Sequence, residues 1–167
     1  MFTFASSRFT DATWSENESY RMRSDFAGCI YGSPQQMSPK IDPKSLVFVV
    51  EMNNSHNKVI GIGLVRNLHV TTKTYKIYDT GNFNRYVFVG KYRVDRSELS
   101  SGLLEMLDYI LFKERTHLKR GAGITTIPDK LFRHHICCER DVKQEIIDAF
   151  LNKFHMKKIE EYKELST

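Results

Sequence analysis

The stretch LVFVVEM, residues 46–52, constrains the fold more than any other part of the sequence. It is a continuous run of β-branched, aromatic and aliphatic residues and reads as a strand. The turn-rich NNSHN follows it, and then KVIGIGLVRN, residues 58–67, so the two runs form a hairpin. Gly61 and Gly63 fall two apart in the second strand and share a face. Glycines there permit close packing, by a helix of the chain itself or by a ligand.

Two further strands complete a central β-meander: TYKIYD at residues 74–79, and RYVFVGKYRV at residues 85–94 beyond the turn TGNFN. Ahead of the hairpin, Pro34, Pro39 and Pro43 punctuate a loop around at most a short strand at residues 29–31. Residues 1–24 carry Phe2, Phe4, Phe9, Trp14 and Tyr20 without a sustained period, which predicts an irregular arm packed across the main body. The last third is helical. Asp95-Arg96-Ser97-Glu98 has the form of a capping box, and Leu99, Leu103, Met106, Leu107, Ile110 and Leu111 follow at helical spacing. A short helix is expected over residues 129–138 and a last one over residues 141–155, with Val142, Ile146, Phe150 and Phe154 four apart and a charged, fraying end after it.

The pattern predicts one α+β domain over residues 1–167, with a β-rich core at 25–94 and a helical part at 95–167. At 167 residues, 41% apolar and 27% charged, the chain can bury a core without metal or disulfide staples. The three cysteines, Cys29, Cys137 and Cys138, are an odd count with two adjacent, a poor disulfide framework. Free thiols in an intracellular, reducing compartment are therefore expected. No run approaches the roughly 18 apolar residues of a membrane span, and the first residues lack the pattern of a secretory leader. A net charge of +5 and a pI near 9.1 favour polyanionic partners, RNA or DNA among them.

Four segments carry candidate sites. HLKRGAGI, residues 117–124, with Lys113 and Arg115 just before it, gathers Lys119, Arg120, Gly121 and Gly123. Its glycines could let successive amides face one phosphate, or simply end a helix. It lacks the spacing of a nucleotide-binding loop. MNNSHN offers Asn53 and Asn54, either as hairpin chemistry or as amides that match a base edge. GNFNRY offers Asn84, Arg85 and Tyr86, either for core packing or for stacking bases and meeting their backbone. HHICC, residues 134–138, could set a His and a Cys on one helical face as metal ligands, but no second ligand pair with suitable spacing exists and no metal is expected. No catalytic motif, cofactor loop or paired-carboxylate pattern is present, and His117 is the sole acid-base candidate.

The segments LVFVVEMNNSHNKVIGIGLVRN and YDTGNFNRYVFVGKYRV resemble the PUA-like superfamily, particularly its EVE, ASCH and YTH-type branches. That resemblance covers about residues 25–112. It implies a small barrel or strongly coiled mixed sheet flanked by helices, and a module that takes a modified or flipped base between barrel and helix. Trp14 is the only tryptophan, a departure from what the aromatic cage of the YTH branch implies. MNNSHNKVIGIG, NFNRY and HLKRGAGI also resemble a protein group of large DNA viruses. The expected function is nucleic-acid binding, with Lys113, Arg115, Lys119 and Arg120 on phosphates and Asn53, Asn54, Asn84, Arg85 and Tyr86 around a base. A non-enzymatic viral structural or protein–protein interaction factor with a basic surface is the alternative.

Overall fold

A computed structural model describes residues 2–113 and 116–163. The apolar run becomes β3 (Leu46–Asn53), buried along all but its last residue, and it pairs antiparallel with β4 (Lys58–Arg66). A bulge at Glu51/Met52 shifts the register near the turn. Asn57 takes the left-handed conformation at φ 54°, which asparagine tolerates because its side chain bonds locally.

The N-terminal residues are not an irregular arm. Thr3–Phe9 is strand β1, which lies parallel to β3 with Thr3 opposite Val47 and Phe9 opposite Asn53. Thr10 then caps helix α1 (Asp11–Arg23) through a reciprocal box with Thr13. Ser6 and Ser7 are buried in β1, so hydrophobic alternation is absent although both faces are covered. Nor does α1 show an apolar stripe. It is seated by the buried Asn17, whose Nδ2 donates to Ile30 O at 2.7 Å and to Tyr78 Oη at 3.0 Å, and by Trp14 set edge-on to Phe9.

The five-stranded mixed sheet runs β6-β4-β3-β1-β7, with β6 at Tyr92–Asp95 and β7 at Thr125–Thr126. A separate ribbon pairs β2 (Cys29–Ser33) with β5 (Tyr86–Gly90). The expected strand over residues 85–94 is thus two strands. Its first half belongs to the ribbon and its second half, past Lys91, to the main sheet. Residues 74–79 form no strand, because Asn84 supplies hydrogen bonds to the Ile77 and Tyr78 amides in place of a neighbouring strand. The meander therefore reduces to the β3–β4 hairpin. The fold is α+β, and the two sheets do not close into one barrel among the described residues.

One sheet face carries Phe48, Val50, Ile62 and Leu64 beneath α2 (Ser101–Asp108) and α4 (Val142–Phe154). Phe48 meets Phe150 edge-on at 5.1 Å, and all six apolar residues expected along the first helix are buried. The Asp95 box caps only a 3-10 turn, Arg96–Glu98; α2 itself starts after Ser100, whose hydroxyl accepts from the Leu103 amide. A π-helical turn, Tyr109–Lys113, follows α2. In place of a helix to residue 138 stand α3 (Asp129–Phe132) and a 3-10 turn, His135–Cys137.

The other face packs Val47, Val49 and Val65 against Tyr31, Phe88 and Phe9. A Cβ at Gly63 would collide with the Tyr31 hydroxyl and the Cys29 sulfur, so side chains of the ribbon, not a helix, explain that glycine.

Candidate nucleic-acid interface

The β3–β4 turn and the cationic loop meet. Asn54 Nδ2 donates to Lys119 O at 2.9 Å, and Lys119 Nζ donates to Asn57 Oδ1 at 2.6 Å. Segments more than sixty positions apart in sequence thereby form one surface, on which His56, Lys58, Lys119 and Arg120 are exposed. The start of α1 is fastened to the same turn. The Asp11 amide donates to Ser55 Oγ at 3.0 Å, and its carboxylate accepts from Asn53 Nδ2 at 3.0 Å and pairs with His56 Nε2 at 2.8 Å.

The loop is tied down from inside by an arginine of the first strand. Arg8, projecting from β1, donates to Leu118 O at 2.9 Å, Gly123 O at 2.6 Å and Thr125 Oγ1 at 3.1 Å. A half-buried guanidinium needs acceptors, and the loop turns its carbonyls inward to supply them. Burial lowers the Arg8 pKa to about 10, so the side chain stays charged at neutral pH. Gly121 sits at φ −68°, and only Gly123 has positive φ, at 71°. Gly123 also lies where a Cβ would press on Ser33 Oγ at 2.5 Å. An anion at this surface would be met by the Lys119 and Arg120 side chains. Lys113 is exposed at the end of the π-helical turn, its Nζ 5.7 Å from the Tyr109 ring centre. Arg115 lies outside the described residues.

Of the amides expected to read bases, Asn53 and Asn84 are occupied within the protein, whereas Asn54 bonds only through Nδ2 and its buried Oδ1 has no hydrogen-bond partner among the described residues. Asn53 Oδ1 accepts from the Ser55 and His56 amides at 2.8 and 3.1 Å, an Asx turn that shapes the hairpin. Asn84 Oδ1 accepts from Ile77 N and Tyr78 N, and its Nδ2 donates to Tyr78 O at 2.7 Å. Arg85 remains exposed, 5.3 Å over the Tyr86 ring, and Tyr86 stands edge-on to His69. Among the described residues, no hydrogen bond, ion pair or ring contact joins this segment to the hairpin turn. Ser33 links them indirectly, opposite Tyr86 in the ribbon and against Gly123. Neither of two surface concavities, of about 620 Å³ around residues 129–143 and about 290 Å³ between α1 and residues 76–79, is lined by Asn53, Asn54, Asn84, Arg85 or Tyr86.

HHICC is the 3-10 turn His135–Cys137 with its flanks. His134 Nδ1 accepts from the Ile136 amide at 3.1 Å, Cys137 is buried and Cys138 is exposed at φ 49°. Among the described residues, no group of three or more His, Cys, Asp or Glu side chains is placed to hold a metal. All three cysteines are free thiols, and no helix is long and apolar enough to cross a membrane among those residues.

A buried ionic cluster lies beneath α1, outside every candidate segment of the sequence. Arg93 Nε lies 3.0 Å from both Glu51 oxygens and Nη2 lies 2.7 Å from Oε1, while the Tyr31 hydroxyl donates to Oε2 at 3.1 Å. Glu51 is 1% exposed and Arg93 8%. Burial opposes the Arg93 charge, and the adjacent Glu51 carboxylate more than reverses this, raising its pKa above the ordinary arginine value. Burial likewise pushes the neighbouring Cys29 thiol up to about 12. Arg93 and Arg21 both lie over the Trp14 ring, at 5.1 and 4.9 Å. The signal was a lone glutamate inside an apolar strand, since a charge in such a run must find a partner.

No family model, curated protein or solved structure matches this chain.

Proposed function

We propose that this protein is a nucleic-acid-binding module that grips the phosphate backbone with the surface where the β3–β4 turn meets the loop at residues 117–121. The observation that carries the reading is the pair of hydrogen bonds joining Lys119 to Asn54 and Asn57, which fixes the loop on the hairpin and leaves Arg120, Lys58 and His56 beside it, open to solvent. Cations held on a rigid scaffold neutralise phosphates and release their counterions, a sequence-independent source of affinity. Because Asn53 and Asn84 are committed internally, recognition here is directed at the backbone. The PUA-like resemblance belongs to the same proposal. Its support is the glycine-bearing β4, and the path of residues 86–95 that passes from the ribbon into the main sheet beside it.

The test is fluorescence anisotropy with labelled single-stranded RNA and DNA over a range of salt. Affinity should fall linearly in a log–log plot, with a slope of about −0.7 per phosphate contacted. Lys119→Glu/Arg120→Glu should weaken every sequence alike and reduce the slope by about 1.4. Unchanged affinity and slope in that variant would refute the assignment. Equal binding to heparin and to oligonucleotides would point instead to a generic basic surface that serves a protein partner.

A further inference from the structure

Helix α1 leads from the phosphate surface to a second feature that the candidate motifs did not include. Near its C-terminal end, Tyr20 and Tyr75 stand edge-to-face with ring centres 6.2 Å apart, both half-buried. Each ring has a cation over it, Arg23 at 5.6 Å from Tyr20 and Lys73 at 4.9 Å from Tyr75, and both cations are exposed. A groove of about 290 Å³ adjoins them, bounded by Ser15, Ser19, Arg23, Lys76 and Asp79. The two walls are tied together: Glu16 Oε2 accepts from the Asp79 amide at 2.6 Å and Asn17 Nδ2 reaches Tyr78 Oη. The rings therefore sit on a fixed base.

We infer that Tyr20 and Tyr75, with Arg23 and Lys73, are a stacking platform for the unpaired bases of single-stranded nucleic acid. The inference rests on the backbone-binding reading above and names the form of strand that it takes. Two physical points select this ligand. Glu16 and Asp79 offset two of the three cations around the patch, Arg23, Lys73 and Lys76, so its surplus charge is small and the ring faces supply what charge does not. Arginine at 5.6 Å lies near the outer limit of a cation–π contact, so the exposed guanidinium can swing aside at little cost to admit a base against the ring. The spacing also fits. The 13 residues of α1 cover about 20 Å at 1.5 Å per residue, and the helix starts against the hairpin turn that holds Lys119. A strand of the ~4 or more nucleotides that small binding modules take can follow it from end to end.

The test compares a short pyrimidine oligonucleotide with an abasic strand of equal length and charge. The wild-type protein should bind the strand with bases roughly tenfold or more tightly. Tyr20→Ala/Tyr75→Ala should bind both strands at the abasic level with an unchanged salt slope, and Tyr20→Phe/Tyr75→Phe should restore the preference. Lys119→Glu/Arg120→Glu should lower both affinities and keep their ratio. Far-ultraviolet circular dichroism and the thermal midpoint check folding. Should the double alanine variant not fold, Tyr75→Ser alone, in the connection between β4 and β5, carries the comparison. Equal wild-type affinity for the two strands, a preference that survives loss of the rings, or tighter binding to duplex overturns the platform while leaving the phosphate surface standing. Failure to bind any strand overturns both.

Discussion

Removing the Glu51 carboxylate should be among the most damaging single changes in the chain. In Glu51→Ala, Arg93, 8% exposed in the native protein, keeps only Asp95 at 3.1 Å as an ion-pair partner among the described residues, and the Tyr31 hydroxyl loses its acceptor. Breaking one side of a buried ion pair costs about 3–5 kcal/mol, because the surviving charge is left uncompensated. For a chain of this size that corresponds to a fall of roughly 6–20 °C in Tm. Replacing both partners with apolar residues, as in Glu51→Leu/Arg93→Met, removes the stranded charge, and the double variant should be more stable than either single one. Urea unfolding followed by Trp14 emission measures the wild type, Glu51→Ala and the cycle of Glu51→Leu, Arg93→Met and their double variant, with Trp14 reporting from beside Arg93 itself. A coupling energy below about 0.5 kcal/mol would mean the two side chains act independently, and the account of the cluster would be wrong.

Thiol titration of the native protein should show one fast-reacting group, Cys138, with Cys29 and Cys137 released only on unfolding, since both are buried with their thiols pushed upward by desolvation. Two fast equivalents would contradict this. The Lys143 hydrogen bond and charge hold the Asp129 carboxyl below its ordinary 3.8, so its contribution is complete above that value and vanishes as pH falls through the lowered one. Thermal midpoints of wild type and Asp129→Asn should therefore differ slightly at neutral pH and converge in acid; a constant gap would refute the linkage. Arg8→Met removes the donor shared by Leu118 O and Gly123 O, and amide exchange over residues 118–126 should accelerate by roughly tenfold or more while α4 is unaffected. Uniform acceleration would show that Arg8 supports the whole fold and not the loop.

What the sequence made legible follows from how each segment is stabilised. The β3–β4 hairpin and the core faces of α2 and α4 are driven by apolar burial, which leaves a period in the sequence, and Leu103, Leu107, Ile146 and Phe150 were found that way. β1 and α1 are held by partners distant in sequence: Ser6 and Ser7 fill a crowded central strand, and Asn17 bonds to Ile30 and Tyr78. Such contacts leave no periodic trace. In the candidate site, the cations Lys119 and Arg120 were chosen for their chemistry, and Lys119 and Asn54 do meet. That Arg8, over a hundred positions away, would hold the loop carbonyls had no trace in the loop's own residues. The internal hydrogen bonds of Asn53 and Asn84 were not legible, because an asparagine that shapes its own turn and one that reads a ligand look identical in sequence.

Residues 3–9 are the plank between β3 and β7, so the sheet is whole only when strands more than a hundred positions apart along the chain have met. Until then Val47, Val49 and their neighbours present a bare apolar strand edge, to which another copy could add as readily as β1. Trimming those seven residues would not remove a tail; it would leave that edge open for good and turn a folding chain into an aggregating one.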